Sequence, residues 1–191
     1  LGPGRLRIHG VGLHGLQKPA ADLCVGNSGT SMRLLSGILA GQPFDSVMTG
    51  DSSLTKRPMR RVLDPLALMG ANIESSGNGT APLRIKGGAA LSGIHYAMPM
   101  GSAQVKSCLL LAGLYAEGTT TVIEPAVTRD HTEQMLRGFG YAVNTQANAV
   151  SLMGGGRLTA TSIDVPADLS SAAFFLVAAS ITPNSDITLQ H

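Results

Sequence analysis

Residues 28–35 read SGTSMRLL, and two later stretches repeat their character, SAQVKSCL at 102–109 and SSAAFFL at 170–176. Each stretch opens with serine and small residues and continues as an apolar helical segment. The serines recur about every 70 residues, and self-similarity at a fixed period indicates a repeated structural unit. A serine at a helix start caps free backbone N–H groups, and that end of a helix favours anions. The repeat therefore predicts several anion-binding helix ends in one fold.

The rest of each unit is predicted from turns and β-branched segments. A glycine or proline turn follows each serine-headed helix, and then an extended segment follows the turn. In the first two units a second helix ends before Gly70 and Gly140, which suit the left-handed position past a helix, and paired short strands follow. With a leading strand the unit becomes βαβαββ. The predicted strands are 23–25, 44–49, 71–75 and 83–86, then 94–97, 119–123, 141–145 and 149–153, and finally 162–165 and 185–189.

The first helix of each unit is apolar nearly all round, as 34–40 and 109–116 illustrate. A helix without a polar face is a buried one. Alternating strands and helices indicate the α/β class. We therefore expect an α/β fold of repeated βαβαββ units, with these helices inside and the sheets packed around them.

Composition excludes several classes of protein. Hydrophobic residues make up 43% of the 191 residues, aromatic residues 4%, and the net charge is +2 without a basic run, so nucleic acid is a poor partner. The longest apolar stretch, 109–116, is too short to span a bilayer. Cys24 and Cys108 lie in apolar runs, which predicts buried free thiols in a reducing compartment, and no Cys or His spacing indicates a metal site.

Two glycine- or serine-rich helix starts are candidate anion sites. In 26–33, GNSGTSMR, the glycines let a ligand approach the backbone, Ser28 or Thr30 can cap the helix, and Arg33 lies one turn inside. The segment 102–106, SAQVK, offers side-chain donors beside free N–H groups, and Lys106 is either a neutralising charge or a solvated side chain. An ordinary capped helix is the alternative for both segments.

Two further loops precede the second helix of each unit. Arg57 stands just before a proline, where its guanidinium could grip a carboxylate or phosphate at two points. Arg129 stands in the matching loop, where Asp130 or Thr128 could cap the helix with Glu133 three residues beyond Asp130. No carboxylate pair, Ser-His-Asp order or activated cysteine is evident. The predicted surface charges near the first loop are Lys56, Arg60 and Arg61.

Five motifs together resemble the 5-enolpyruvylshikimate-3-phosphate synthase family. The resemblance covers essentially the whole chain in order, and five linked motifs are far more specific than one. Members of the family are more than twice this length, so we expect the chain to be an internal fragment. The motifs are GNSGTSMR at 26–33, LTKRPM at 54–59, SAQVKS at 102–107, TRDHTE at 128–133 and DVPADLSSA at 164–172.

The resemblance implies a transferase of the shikimate pathway, which leads to the aromatic amino acids. The reaction moves the enolpyruvyl group of phosphoenolpyruvate to the 5-hydroxyl of shikimate 3-phosphate and releases phosphate. The implied fold has two inside-out lobes of three βαβαββ units each. Residues 1–164 would form most of the N-terminal lobe, about two and a half units, and 165–191 the start of the C-terminal lobe. A monomeric, cytoplasmic protein is implied, with no cofactor, metal, nucleic acid or membrane partner.

The resemblance also implies roles for individual residues. Gly29, Arg57, Gln104 and, less directly, Asn27 would bind phosphoenolpyruvate and the herbicide glyphosate, and glycine at position 29 implies glyphosate sensitivity. Ala103 replaces a serine, so only its backbone can contribute. The groups that transfer protons would lie outside this chain, and we expect the fragment alone to be inactive. The residues implied for shikimate 3-phosphate are Ser102, Ala103, Gln104, Thr128 and Arg129.

Two other functions stay open at this point. The sister enzyme, UDP-N-acetylglucosamine enolpyruvyl transferase, shares fold and donor, but its reactive-loop cysteine has no convincing match here. A non-catalytic module that binds phosphorylated metabolites is the alternative of a different class.

Overall fold

The structure is a computed structural model that describes residues 4–165 and 167–189. The chain ends (1–3, 190 and 191) and the proline of the fifth motif at 166 lie outside the described residues. The elements, in chain order, are β1 (Leu23–Cys24), α1 (Gly29–Ala40), β2 (Ser46–Thr49), a 3₁₀ turn (Leu54–Lys56), α2 (Arg60–Leu68), β3 (Asn72–Ser76), β4 (Thr80–Lys86), β5 (His95–Ala97), α3 (Ala103–Gly113), β6 (Thr119–Ile123), α4 (His131–Gly138), β7 (Asn144–Gln146), β8 (Ala149–Met153) and α5 (Leu169–Ile181).

The strands form two sheets with the same topology. The first has the order β1-β2-β4-β3 and the second the order β5-β6-β8-β7. In each, the leading strand is parallel to its neighbour, with Leu23 opposite Met48 and Tyr96 opposite Val122, and the remaining pairs are antiparallel. The predicted βαβαββ repeat is therefore confirmed for the first two units.

The first helices of these units form the interior. In α3 every residue from Val105 to Gly113 is buried, and the helix contacts α1, α2 and α4 as well as β6 and β8. Helix α1 packs on α3 and on β4 of the first sheet. Gly37 allows this approach, because a Cβ there would overlap the Cys108 carbonyl oxygen and lie 3.3 Å from the Ala112 nitrogen. The prediction of buried helices holds for α3 from Val105 to Gly113, whereas α1 buries half of its 12 residues and leaves Leu34, Leu35 and Ile38 half-buried.

Helix caps follow the sequence in two of three cases. Ser28 caps α1 by accepting from the Ser31 N–H at 3.1 Å, and Ser102 caps α3 by accepting from the Val105 N–H at 3.4 Å. The third helix is different, because Asp168 is its cap and accepts from the Ser170 N–H at 2.9 Å. Asp168 is preferred there since a carboxylate at a helix start also interacts with the helix dipole.

Residues of the third unit were predicted as strands and are not strands. The segments 162–165 and 185–189 are not strands among the described residues, because a strand forms only as part of a hydrogen-bonded ladder with a neighbouring strand. Helix α5 is apolar all round, yet it has no buried residue among those described, and Phe174 is 81% exposed. Cα packing divides the chain into the units Leu1–Ala160 and Thr161–His191. The predicted lobe boundary at 164–165 stays a prediction.

The two cysteines differ in environment. Cys108 is buried as predicted, and burial raises the pKa of its thiol to about 12. The same prediction for Cys24 is wrong, because the apolar run around it is the short edge strand β1, which leaves the thiol exposed. Both are free thiols. None of the helices in the described ranges is long and apolar enough to cross a membrane.

Candidate functional site

One side chain joins the starts of the two buried helices. Gln104, in the first turn of α3, donates from Nε2 to the Thr30 hydroxyl at 2.9 Å and accepts at Oε1 from Arg33 Nη1 at 2.8 Å. Thr30 and Arg33 both lie in the first two turns of α1. The two helix starts predicted as separate anion sites therefore lie side by side, with Gln104 between them.

Gly29, the first residue of α1, forms the floor of this site. It is buried, and a Cβ at this position would lie 3.0 Å from Arg33 Nη1 and 3.4 Å from Arg57 Nη1. Two guanidinium groups therefore approach the same glycine. Only a residue without a side chain leaves space here for a small ligand between the guanidinium groups and the helix start.

Arg57 is oriented by a short chain of hydrogen bonds. Its Nη2 donates to Asn27 Oδ1 at 2.7 Å, and Asn27 Nδ2 donates to Asp51 Oδ2 at 2.8 Å. The other oxygen of Asp51 accepts from the Leu54 N–H at 2.8 Å. These bonds, the one from Asn27 first, hold the pKa of the Asp51 carboxyl below its ordinary value. Asn27 thus orients the guanidinium without neutralising it, because an amide carries no charge.

The charge around Gly29 is positive. Burial lowers the pKa of Arg33 below its ordinary value, and the charges of Arg61 and Arg57 lower it further. Within 4–165 and 167–189, no carboxylate forms a salt bridge with Arg33 or Arg57. The Asp51 carboxylate interacts with Arg57 only at longer range, through Asn27. Guanidinium groups that repel one another without a salt-bridged carboxylate favour a bound anion.

The start of α3 is flanked by a second loop. A Cβ at Gly101 would lie 3.3 Å from Thr128 Cγ2, so the loop of residues 125–130 lies directly against the residue before the cap Ser102. Ser102 and Thr128 are half-buried, and Arg129 is exposed. Ser102, Ala103 and Thr128 are thus grouped at one helix start, next to the Gly29 site through Gln104, and Arg129 follows Thr128 in the loop.

The sequence left Lys106 as either a charge that neutralises a bound anion or a solvated side chain, and the structure shows neither. It is 1% exposed, and its Nζ lies 3.0 Å from Glu124 Oε2 and 2.6 Å from Glu133 Oε1. Burial alone would lower the pKa of Lys106, but the hydrogen bonds to Glu133 and Glu124 raise it above its ordinary value. The reason is its position on a buried helix face, where an ammonium group needs carboxylate partners.

The start of α4 differs in detail from the predicted capping box. Asp130 occupies the cap position but makes no side-chain bond to the helix backbone, and it accepts instead from Gln134 Nε2 at 2.8 Å. Glu133 does not reach back to the cap, because it pairs with Lys106. Thr128 does not cap either, since its hydroxyl donates to Glu124 Oε1.

The resemblance assigned no ligand role to Arg33 or Lys106, and the sequence did not predict their partners, which are Gln104 for Arg33 and Glu124 and Glu133 for Lys106. The signal for Arg33 is its spacing, because position 33 lies one helical turn after Gly29 and therefore on the same face of α1. The signal for Lys106 is a lysine within a helix that is otherwise apolar all round. In the part of the chain that is described, no group of three or more His, Cys, Asp or Glu side chains could hold a metal ion. The arrangement is suited to binding two anionic groups side by side.

Comparison with known proteins shows the family of the chain. Residues 5–191 match the family model described as EPSP synthase (3-phosphoshikimate 1-carboxyvinyltransferase). The chain is 69% identical over 188 residues to the 3-phosphoshikimate 1-carboxyvinyltransferase of Methylococcus capsulatus and 65% identical to that of Halorhodospira halophila. These matches cover 98% of this chain but 43% and 42% of the two relatives. The chain therefore spans less than half the length of these curated relatives.

The fold is similar to solved structures as well. EPSP synthase from Acinetobacter baumannii superposes with a TM-score of 0.85 at 64% sequence identity, over 91% of this chain and 39% of that chain. The repeated α/β units with buried helices are thus those of the enolpyruvyl transferase fold.

Proposed function

Since the chain belongs to the EPSP synthase family, we propose that the complete protein transfers the enolpyruvyl group of phosphoenolpyruvate to the 5-hydroxyl of shikimate 3-phosphate and releases phosphate. The observation that carries this proposal is the junction at Gln104, which puts two anion-binding helix starts side by side. Both substrates are phosphorylated, and the reaction requires them to be adjacent.

Phosphoenolpyruvate occupies the Gly29 half of the site in this proposal. Gly29 leaves the space, Arg57 grips the anion at two points, and Asn27 orients that guanidinium. Gln104 contacts the same space from α3. Two guanidinium groups that form no salt bridge with any described carboxylate support a ligand with both a carboxylate and a phosphate. Glyphosate, an anion of similar charge, would compete for this half.

Shikimate 3-phosphate occupies the half at the start of α3. Ser102 offers its hydroxyl, Ala103 its backbone N–H, and Arg129 a charge, while Thr128 brings its loop against the helix start. A phosphate at a helix start is stabilised by the free N–H groups and the helix dipole. Gln104 borders both halves and would contact both substrates.

The groups that transfer protons belong, in this proposal, to the remainder of the complete protein. Residues 165–191 begin its second lobe, and the exposed apolar surface of α5 supports further packing against segments of that lobe. A monomeric protein of the cytoplasm is proposed, and two free cysteines agree with a reducing compartment. The chain alone is expected to release no phosphate.

The test requires a complete enzyme. We define the grafted enzyme as the Methylococcus capsulatus relative in which this chain replaces the matching 188 residues. With shikimate 3-phosphate and phosphoenolpyruvate, we expect it to release phosphate at a rate within about tenfold of that of its parent, because the replaced segment is 69% identical. A folded grafted enzyme without phosphate release would contradict the proposal.

The same assay separates the alternatives. UDP-N-acetylglucosamine as acceptor should give no phosphate release above background, and turnover with it would favour the sister enzyme. Binding of shikimate 3-phosphate without turnover would favour a non-catalytic binding module.

Replacing Gly29 with alanine tests the phosphoenolpyruvate half. The new methyl group lies against the guanidinium groups of Arg33 and Arg57 and shortens the space between them. We expect the inhibition constant for glyphosate to rise about tenfold or more, and the KM for phosphoenolpyruvate to rise less, because the longer anion tolerates the loss of space less well. Steady-state inhibition kinetics in the grafted enzyme measure both constants.

Gly138 provides the matched control for this prediction. It is the last residue of α4, and a Cβ there meets nothing within 4 Å. Gly138→Ala should leave both constants unchanged within twofold or so. Equal effects of the two substitutions on glyphosate inhibition would refute the assignment of Gly29.

A further inference from the structure

The buried ion cluster beneath the shikimate 3-phosphate half has a direct connection to the ligand loop. Lys106 is one turn after Ser102 in α3, and its backbone N–H donates to the Ser102 carbonyl at 3.1 Å. Its ammonium group contacts Glu124 at the beginning of the loop and Glu133 beyond its end. One side chain of α3 thus holds both sides of the loop that carries Thr128 and Arg129.

Glu124 uses its two oxygens for different purposes. Oε2 accepts from Lys106 Nζ at 3.0 Å, and Oε1 accepts from the Thr128 hydroxyl. A carboxylate can only accept, so Thr128 must be the donor of this bond. Glu124 therefore connects the helix that starts with Ser102 to the middle of the opposite loop.

Glu133 has no such connection. Its Oε1 accepts from Lys106 at 2.6 Å, while its Oε2 has no hydrogen-bond partner among the described residues. A second contact already ties α4 to α3, because the Thr132 hydroxyl donates to the Ser107 hydroxyl at 2.7 Å. The two buried glutamates are thus similar in charge and burial but differ in one respect, which is the contact with Thr128.

We propose that Glu124 is a positioning residue for the substrate phosphate: held by Lys106, it fixes Thr128, and with it the adjacent Arg129, against the start of α3. This inference rests on the proposed function, since it assigns a purpose within the shikimate 3-phosphate half. Asp130 at the end of the loop is tied to Gln134 of α4, which donates from its N–H to the Asp130 carbonyl at 3.0 Å and from Nε2 to the Asp130 carboxylate at 2.8 Å. Between Glu124 and Asp130, Arg129 is exposed, and the bond from Thr128 is the side-chain hydrogen bond that ties the described loop residues to the buried cluster. Without the bond from Thr128, the loop loses its contact with the buried cluster.

Glutamine substitutions distinguish the two carboxylates. An amide has one accepting oxygen, so Glu124→Gln can satisfy Lys106 or accept from Thr128 but cannot do both. Glu133→Gln keeps its single contact, because the amide oxygen can still accept from Lys106. In the grafted enzyme we expect E124Q to weaken binding of shikimate 3-phosphate about tenfold or more, since small displacements of a binding group are costly. The KM for phosphoenolpyruvate should change by less than about threefold, and E133Q should alter neither constant by more than that.

Calorimetric titration with shikimate 3-phosphate gives the dissociation constant without requiring turnover. Equal weakening by E124Q and E133Q, or no weakening by E124Q, would overturn the inference and leave the proposed function intact. No binding by the unsubstituted grafted enzyme would overturn both. If E124Q does not fold, Thr128→Val replaces it. That variant removes the same bond from the loop side and leaves Lys106 paired with Glu124 and Glu133. Its dissociation constant for shikimate 3-phosphate must again rise, and no rise would overturn the inference.

Discussion

Replacing Gly37 with alanine is expected to lower the free energy of unfolding of the grafted enzyme by about 3 kcal/mol or more. The added methyl group would overlap the Cys108 carbonyl oxygen and approach the carbonyl carbon to 3.1 Å. These are backbone atoms of a buried helix, so they cannot move aside as a flexible side chain could. The change should force α1 and α3 apart, and urea unfolding followed by far-UV circular dichroism measures the loss.

The same substitution at Gly138 is the control for stability. Both positions are helical glycines, but a Cβ at Gly138 meets nothing within 4 Å. Alanine has the higher helix propensity, so Gly138→Ala should stabilise by up to about 0.5 kcal/mol. A Gly37→Ala variant as stable as Gly138→Ala would show that the two buried helices do not pack as described.

Replacing Arg57 with alanine is expected to have the largest effect on activity. We expect kcat/KM for phosphoenolpyruvate in the grafted enzyme to fall about 100-fold or more. The Arg57 guanidinium is held by Asn27 and forms no salt bridge within the described ranges, so it can supply two charge-assisted hydrogen bonds to the donor. Arg57→Lys keeps the charge but loses the two-point geometry, so its loss should be intermediate.

Lys56 gives the matched control for this experiment. It is the neighbouring cation and is exposed at the end of the 3₁₀ turn. Lys56→Ala should change kcat/KM by less than about threefold, since an exposed charge in water contributes little. A loss as large as that of Arg57→Ala would mean that the general positive field of the loop, and not the Arg57 geometry, binds the donor.

Local patterns sufficed for much of the fold. The strand at Thr119–Ile123 coincides with its prediction because β-branched residues alternate there between two clear turns. Gly70 and Gly140 have φ of +97° and +77°, as their positions after α2 and α4 required. The apolar character of α1 and α3 also predicted their burial, because a helix without a polar face must be covered.

Features that depend on distant partners were missed. Lys106 looked ambiguous because its partner Glu124 is 18 residues away, and a local pattern does not indicate which side chains meet in the interior. The prediction of a strand at 185–189 was wrong for a related reason. The local propensity is strand-like, but pairing with a neighbouring strand decides whether a strand forms. Cys24 was misassigned because an apolar run on an edge strand looks the same as one in the core.

The sequence predicted which residues belong to the candidate site better than it predicted how they are arranged. The motifs singled out Gly29, Arg57 and Gln104 by residue type and by resemblance. Neither source indicated that Gln104 would bond to both Thr30 and Arg33 and so hold the two helix starts together. These two bonds join Gln104 to residues that lie 71 positions (Arg33) and 74 positions (Thr30) earlier in the chain, and only the packing of α1 on α3 brings them together.

A crystal structure of the grafted enzyme with shikimate 3-phosphate and glyphosate would test the central claim most directly. We predict the phosphate of shikimate 3-phosphate within hydrogen-bond distance of Ser102 and Arg129, and glyphosate beside Gly29 and Arg57, with Gln104 in contact with both ligands. Ligands bound away from the starts of α1 and α3 would contradict the account.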